Sequence, residues 1–432
     1  MKIRLWPLLL AILLCCTGCS LDVENFLQPP LAQEEQQAIR EALETYIRDT
    51  GNSGIRYTLQ YPTEGLYTSA FVVCDDRGYP VENAKDEAAL AVAFYELSAT
   101  KEPHINLLRR EGDMWISVGD VIGSGTDVLQ VSFGDLDGDG TAELLTGWST
   151  YNSRDHRLMV LSVNRGLQLL SDDRLYTSLV VCDTDQSKRD RLLMLRIGDG
   201  HEVTATLTDF RNGVLSEVGR VRLDDYIQQF GVTSLCKLGE DTYGVYVDAA
   251  KSGGTMVTEL ICFDETTVYA PFYNSSKGVT TVTARQSGLS LRDVDGDGKV
   301  EIPIGQFLPG WVEMEDAPSS AWLTVWRRWD LGGNWTDVMH TVVNTTDGYM
   351  LILDETQQLD LTTRYDEGTH TLTLVNTTTG NGWLSVRPVD EEGLPAGYEL
   401  LSKATQTRTA YAVRYDKKRL DMQKIRYMVS FD

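Results

Sequence analysis

The sequence predicts a mainly β chain: a β-propeller of about five recognisable four-stranded blades over 55–345, a short helix before it at 34–54, and a small α+β domain after it at 346–432. Three observations predict it. An aspartate-rich segment occurs twice, at 131–144 and 289–302, and the two copies match at every Asp, both glycines and the Glu. Weaker copies recur before and between them at a loose period. Each unit also holds four short runs of alternating apolar and β-branched residues, separated by turn signals.

The N-terminus carries an export signal over 1–18. Lys2 and Arg4 precede an almost unbroken apolar run at 5–14, and Thr17 and Gly18 place small residues before Cys19. The run is about ten residues, short of the roughly 20 needed to span a bilayer as a helix. The segment resembles the bacterial lipoprotein signal, in which a Cys follows a short box of apolar and small residues. The resemblance implies that Cys19 carries a diacylglyceryl group on sulfur and becomes the mature N-terminus. Cys16 stands where that family usually has Leu, so an ordinary cleaved signal peptide is the competing reading. Two acyl chains hold a chain stably to a membrane, at about 0.8 kcal/mol per buried CH₂. Residues 19–33, with Pro29 and Pro30, read as a tether. The expected location is the extracytoplasmic face of a cell membrane, and the arrangement is similar to repeat-bearing lipoproteins of Gram-positive bacteria.

In the segment that follows, Ala38, Ile39, Ala42, Leu43, Tyr46 and Ile47 fall at helical spacing, acids crowd the first turn, and Gly51 and Gly54 end it. The pattern predicts a helix packed on the body, with a partner-binding helix as the alternative.

Counted at the first aspartate position, the repeat units start at 75, 135, 183, 237 and 293. Strand-like runs fall at 131–133, 144–148, 158–163 and 166–170 in the second unit, and at 289–291, 302–306, 322–326 and 335–342 in the fifth. Four antiparallel strands repeated radially make a propeller blade; a generic β-sandwich is the rival architecture. A further blade assembled from both termini is an open expectation. Cys74, Cys182 and Cys236 occupy equivalent strand positions in different units. They and Cys262 are expected to be free, buried thiols, and no C-x-x-C pair in the mature chain supports a zinc or redox site.

The two strong loops carry the chemistry. Asp135, Asp137, Asp139 and Glu143 sit at positions 1, 3, 5 and 9 of one, and Asp293, Asp295, Asp297 and Glu301 at the same positions of the other. Thr141 and Lys299, at position 7, offer backbone carbonyls. Hard oxygen donors at this spacing suit Ca²⁺, and carboxylates this close repel one another without a cation. Gly140 and Gly298 at position 6 permit the sharp turn. The likeness to an EF-hand ends at position 12, where Thr146 and Ile304 stand in place of Glu. The loops resemble those of FG-GAP (VCBS-type) repeats, and Phe133-Gly134 matches the family's Phe-Gly. That resemblance implies a propeller whose blade loops are stabilised by calcium, without implying catalysis.

Beyond 345, runs at 349–353, 359–365, 371–375, 383–387 and 425–431 read as strands, while 398–403 and 409–415 fit either short helix or strand. The chain has 63 acidic against 39 basic residues and a net charge of −24, or −26 once Lys2 and Arg4 leave with the signal. Such a surface repels nucleic-acid phosphates. His104, His156, His201, His340 and His370 are scattered, with no H-E-x-x-H or G-x-S-x-G motif around them. Tryptophans cluster in the fifth unit. Trp322 and Trp326 read as core, and Trp311, in a Pro-Gly turn, as an exposed stacking residue for a glycan. The expected function is a non-enzymatic, lipid-anchored binding or scaffold protein for an extracellular protein or glycan. The alternatives are a glycan- or peptide-processing enzyme on a propeller scaffold, or an envelope sensor or assembly factor.

Overall fold

The computed structural model describes residues 33–52, 56–82, 87–151, 153–164, 166–184, 189–200, 202–308, 322–354, 361–390 and 393–431. The chain is mainly β, built from successive antiparallel sheets, with a short helix at its N-terminal end. It divides into two compact units, Met1–Arg196 with Thr206–Val218, and Ile197–Ala205 with Gly219–Asp432; the division passes through the third sheet.

Helix α1 (Gln33–Ile47) opens the first unit and ends in a π-helical turn at Arg48–Asn52. Its residues Ile39, Leu43 and Ile47, one turn apart, are buried on the first sheet against Val73, Ala91, Ala93 and Trp115. Glu35 accepts from the Trp115 indole at 2.8 Å and locks the first turn to that sheet. The first sheet comprises β1 (Tyr57–Leu59), β2 (Phe71–Cys74), β3 (Leu90–Leu97), β4 (Pro103–Glu111) and β5 (Met114–Ile122). Both β1 and β2 pair with β3, and β4 and β5 follow in sequence order. The second sheet is a four-stranded meander of β6 (Val128–Gly134), β7 (Glu143–Ser149), β8 (His156–Ser162) and β9 (Gln168–Tyr176). The third has the same order: β10 (Ser178–Cys182), β11 (Arg191–Ile197), β12 (Val203–Arg211) and β13 (Val214–Arg222).

The second sheet is covered on both faces. Val92, Phe94 and Leu107 of the first sheet pack on Leu144, Trp148 and Met159 of the second. From the other face of the second sheet, Leu145, Leu158 and Val160 meet Leu192 and Met194 of the third. Odd and even residues of β7 thus enter different cores, and six of its seven residues are buried. This is the layering a propeller blade requires.

The second unit holds three larger sheets. The fourth runs β14 (Ile227–Lys237), β15 (Tyr243–Lys251), β16 (Thr255–Phe263) and β17 (Val268–Tyr269). A small ribbon of β18 (Tyr273–Asn274) and β19 (Val279–Thr280) follows, and β20 (Arg285–Gln286) returns to pair with β16. The fifth sheet orders β21 (Ile302–Phe307), β22 (Trp322–Trp329), β23 (Trp335–Asn344), β24 (Tyr349–Leu353) and β30 (Val429–Phe431). The sixth comprises β25 (Leu361–Asp366), β26 (Thr371–Asn376), β27 (Gly382–Val389), β28 (Glu399–Ser402) and β29 (Ala410–Tyr415), in the order β25-β26-β27-β29-β28.

Three expectations differ from this arrangement. The strand expected at 289–291 reduces to a single bridge, Arg292 with Glu301. The boundary expected at 345/346 is crossed by the sheet itself, because β24 pairs with β23 from Asn344–Tyr349 to His340–Leu353. The strand expected at 425–431 is mostly helix α2 (Met422–Met428), capped by Asp421 accepting from Lys424 N at 2.8 Å, and only β30 continues as strand. No helix among the described residues is long and apolar enough to cross a membrane.

Cys74, Cys182, Cys236 and Cys262 are all free thiols. Burial pushes Cys182, Cys236 and Cys262 up to about 12 and Cys74 still higher, so all four stay protonated and unreactive at neutral pH.

Candidate metal centre

Two loops of one design lead into β7 and β21. In the first, Asp135 Oδ1 accepts from Gly138 N at 2.7 Å and Oδ2 from Gly140 N at 2.9 Å. In the second, Asp293 accepts from Gly296 N and Gly298 N, each at 2.7 Å. The position-9 glutamate bonds back to the residue after that aspartate: Glu143 Oε2 accepts from Leu136 N at 2.8 Å, and Glu301 Oε2 from Val294 N at 2.9 Å. Both glycines of each loop are left-handed, with φ of 81° and 87° at Gly138 and Gly140, and 76° and 84° at Gly296 and Gly298. The fourth position therefore needs glycine as much as the sixth does.

In the first loop, Asp135, Asp137 and Glu143 each bring a carboxylate oxygen within 4.8 Å of the others. Asp135 and Glu143 are buried. Burial pushes the Glu143 carboxyl up to about 7, and the Asp137, Asp135 and Asp139 charges add to it against the opposing Leu136 N–H. Asp137 is raised too, by partial burial and by the Asp139 and Asp135 charges, against the Asp139 N–H bond and the attraction of Arg189. Asp139 stands aside, accepting from Thr141 N at 2.8 Å and from the Asn164 amide at 3.3 Å. Three oxygens held on a preorganised turn, with one carboxyl raised by burial and by its neighbours' charges, fit a hard divalent cation, which would offset both.

The same loop is gripped from both sides within its unit. Asp135 N donates to Asp190 Oδ2 at 2.9 Å, and Asp190 N donates to the Asp135 carbonyl at 2.7 Å. Burial, with the Asp183 and Asp135 charges, pushes Asp190 up to about 6. Ala142 N donates to the Arg77 carbonyl at 2.7 Å. The weak first repeat loop and the segment ahead of β11 thus close on the strong second one.

In the second loop, Asp293, Asp295 and Asp297 cluster similarly, but a guanidinium faces them. Arg328, on β22, donates from Nη1 to Asp297 Oδ2 at 2.9 Å, and from Nη2 to Asp297 Oδ1 at 2.8 Å and Asp295 Oδ1 at 3.1 Å. Its Nε donates to Glu301 Oε1. Burial opposes the Arg328 charge, yet Glu301, Asp295 and Asp297 outweigh it and hold the proton more tightly. Glu301 is fully buried and raised by burial, with Val294 N–H and Arg328 working against the rise. Lys299 N donates to Asp297 Oδ1 at 3.0 Å. Motif spacing gave no hint of Arg328; its signal lies in strand register.

Of the remaining sequence candidates, Cys19 and Trp311 lie outside the described residues. Trp326 is buried, as expected of core. Trp329 and Trp335 face each other across the β22–β23 pair, and Phe272 stacks on Trp335 at 5.3 Å. His370 is not isolated. Its Nδ1 lies 2.8 Å from Asp347 Oδ1, and the other Asp347 oxygen accepts from Tyr365 OH at 2.9 Å and Asn344 Nδ2 at 2.7 Å. The Asp347 side chain is buried, whereas His370 is half exposed at a left-handed φ of 51°. His104 has a similar partner, Asp120 at 2.7 Å, but its Nε2 is sealed from solvent.

The chain matches no protein-family model and no curated protein. Among solved structures, it resembles rhamnogalacturonan lyase YesW with 14% identity and a TM-score of 0.31, over 72% of this chain and 63% of that one. A Bacillus licheniformis rhamnogalacturonan lyase gives 13% and 0.32, over 84% and 69%. The Dos1 propeller gives 9% and 0.28, over 60% and 62%. Likenesses this slight carry no inference about chemistry.

Proposed function

We propose that the chain is a lipid-anchored protein of the extracytoplasmic face of a cell membrane, with a blade-built body that binds or displays an extracellular protein or glycan. A calcium ion on Asp135, Asp137 and Glu143 stabilises that body. The observation that carries this reading is the position of the first loop. It is wedged between Arg77 and Asp190, where a bound cation knits three repeat units together. The Cys19 anchor rests on the signal it terminates. Its test is Cys19→Ser, which should move the chain from the membrane fraction to the soluble one; persistence in the membrane would sink it. The calcium reading is tested by melting with and without chelator. The intact chain should lose stability on chelation and Asp135→Asn should be insensitive, whereas equal melting temperatures throughout would overturn it.

One observation favours a second reading, a glycan- or peptide-processing enzyme. Asp347 holds His370 through Nδ1, which leaves Nε2 as the basic nitrogen on a half-exposed ring, the arrangement of an oriented general base. Turnover on a glycan and peptide panel, abolished in His370→Asn at unchanged melting temperature, would establish this reading; no turnover by the intact chain would remove it.

A further inference from the structure

The two strong loops are near-identical in sequence, and they differ in what the neighbouring strand puts opposite them. In the fifth sheet, β21 and β22 pair Ile302 with Arg327, and one step further along that register Glu301 faces Arg328. In the second sheet, β7 and β8 pair Leu144 with Leu161, and one step further Glu143 faces Ser162. Cross-strand neighbours on one face lie close enough for side chains to meet. The same position opposite the loop glutamate therefore carries a guanidinium in one repeat and a short neutral hydroxyl in the other.

We infer that Arg328 is the built-in cation of the second loop and excludes calcium from it, so that only the first of the two matching loops is a metal site. The inference rests on the calcium reading of the first loop for its contrast, not for its content. All three guanidinium nitrogens are engaged on Glu301, Asp297 and Asp295, with Asp297 held by both terminal nitrogens. Arginine has donors only and cannot share a carboxylate oxygen with a metal without meeting its charge. For a divalent ion to enter, Arg328 must release three carboxylates from charge-assisted bonds, and its own charge then lies beside the ion. Ser162 imposes no such exclusion on Asp135, Asp137 and Glu143.

Calorimetric titration of the chelator-stripped full chain with calcium chloride tests this. One equivalent is expected in the intact chain, lost in Asp135→Asn and kept in Asp293→Asn. Arg328→Ser should gain a second equivalent that Asp293→Asn abolishes, and Ser162→Arg should lose the first. Two equivalents in the intact chain, one of them removed by Asp293→Asn, would overturn the proposal while leaving the first site standing. No calcium in the intact chain would refute the first site alone; Arg328→Ser would then still gain one equivalent if the proposal holds, and gain none if it does not. Should Arg328→Ser fail to fold, Ser162→Arg decides: a folded variant that keeps the first equivalent counts against exclusion by arginine.

Discussion

Arg285 and Asp248 form an ion pair sealed from solvent, with Nη2 2.6 Å from Oδ1 and both side chains almost fully buried. The pair is satisfied on every side described. Arg285 also donates to Thr258 Oγ1 and to the Leu289 and Thr283 carbonyls, and Asp248 accepts from Thr258 Oγ1 and Leu291 N. Breaking one partner strands the other charge in the interior, at a cost of about 3–5 kcal/mol. Asp248→Ala should therefore lower the urea midpoint sharply, and Asp248→Ala with Arg285→Met should recover part of the loss. A double variant no better than the single would show that the hydrogen-bond network, and not the charge, is what the site needs.

Glu143 should reverse the sign of its effect with calcium. Without metal, its folded carboxyl titrates at about 7, above the ordinary 4.5. The folded state then keeps a proton that the unfolded chain releases, and stability falls as pH rises through that window. The shift is worth roughly 3 kcal/mol at about 1.4 kcal/mol per pH unit. At pH 8, Glu143→Gln should raise the melting temperature of the chelated chain and lower that of the calcium-loaded chain. A shift of the same sign in both conditions would remove Glu143 from the ligand set.

Glu259 offers a pH response independent of metal. It is fully buried, one of its oxygens accepts from Asp224 N and Thr280 Oγ1, and the other has no partner among the described residues. Burial pushes it up to about 7; the Asp224 N–H, the Thr280 hydroxyl and Lys251 oppose the rise, and the Asp224 charge adds to it. Its stabilising proton is fully present below about 4.5 and lost as pH passes 7. Glu259→Gln should flatten the melting temperature between pH 5 and 8 relative to the intact chain, checked by calorimetry in chelator; an unchanged slope would rule the group out.

Leu43 anchors α1. Its side chain is wholly buried on the first sheet between Ile39 and Ile47, so Leu43→Ala should cost about 2–5 kcal/mol. Proteolysis should then cut first within the 33–52 helical segment. Loss of stability with that segment still protected would mean that the cost arises elsewhere.

Sequence periodicity reads the sheets unevenly, for a physical reason. The outer strand β13 leaves most of its residues exposed or half-buried, with apolar residues interspersed among polar ones. Inner strands such as β7 and β15 are buried on both faces, and their near-continuous apolar runs are bounded only by turn residues. The helix α2 was hidden because Ile425 and Met428, its two buried residues, are too few to show a helical period. At the loops, spacing identified the carboxylates and missed the partners. Arg328 follows Glu301 by 27 residues, and Asp190 follows Asp135 by 55. Strand register brings the first pair together and the packing of one sheet on the next the second, and a single sequence states neither.

The return of β30 to β24 has a kinetic consequence. The entire sixth sheet lies in the chain between these two paired strands, so the last strand of the fifth sheet can dock only after a long excursion has been closed. Closing such a loop is entropically slow, and contacts of high sequence separation delay folding. Until β30 arrives, β24 presents an open edge with unpaired N–H and C=O groups, a template for pairing with another chain. The interval before that docking is when newly made copies of this protein are most exposed to joining one another by mistake.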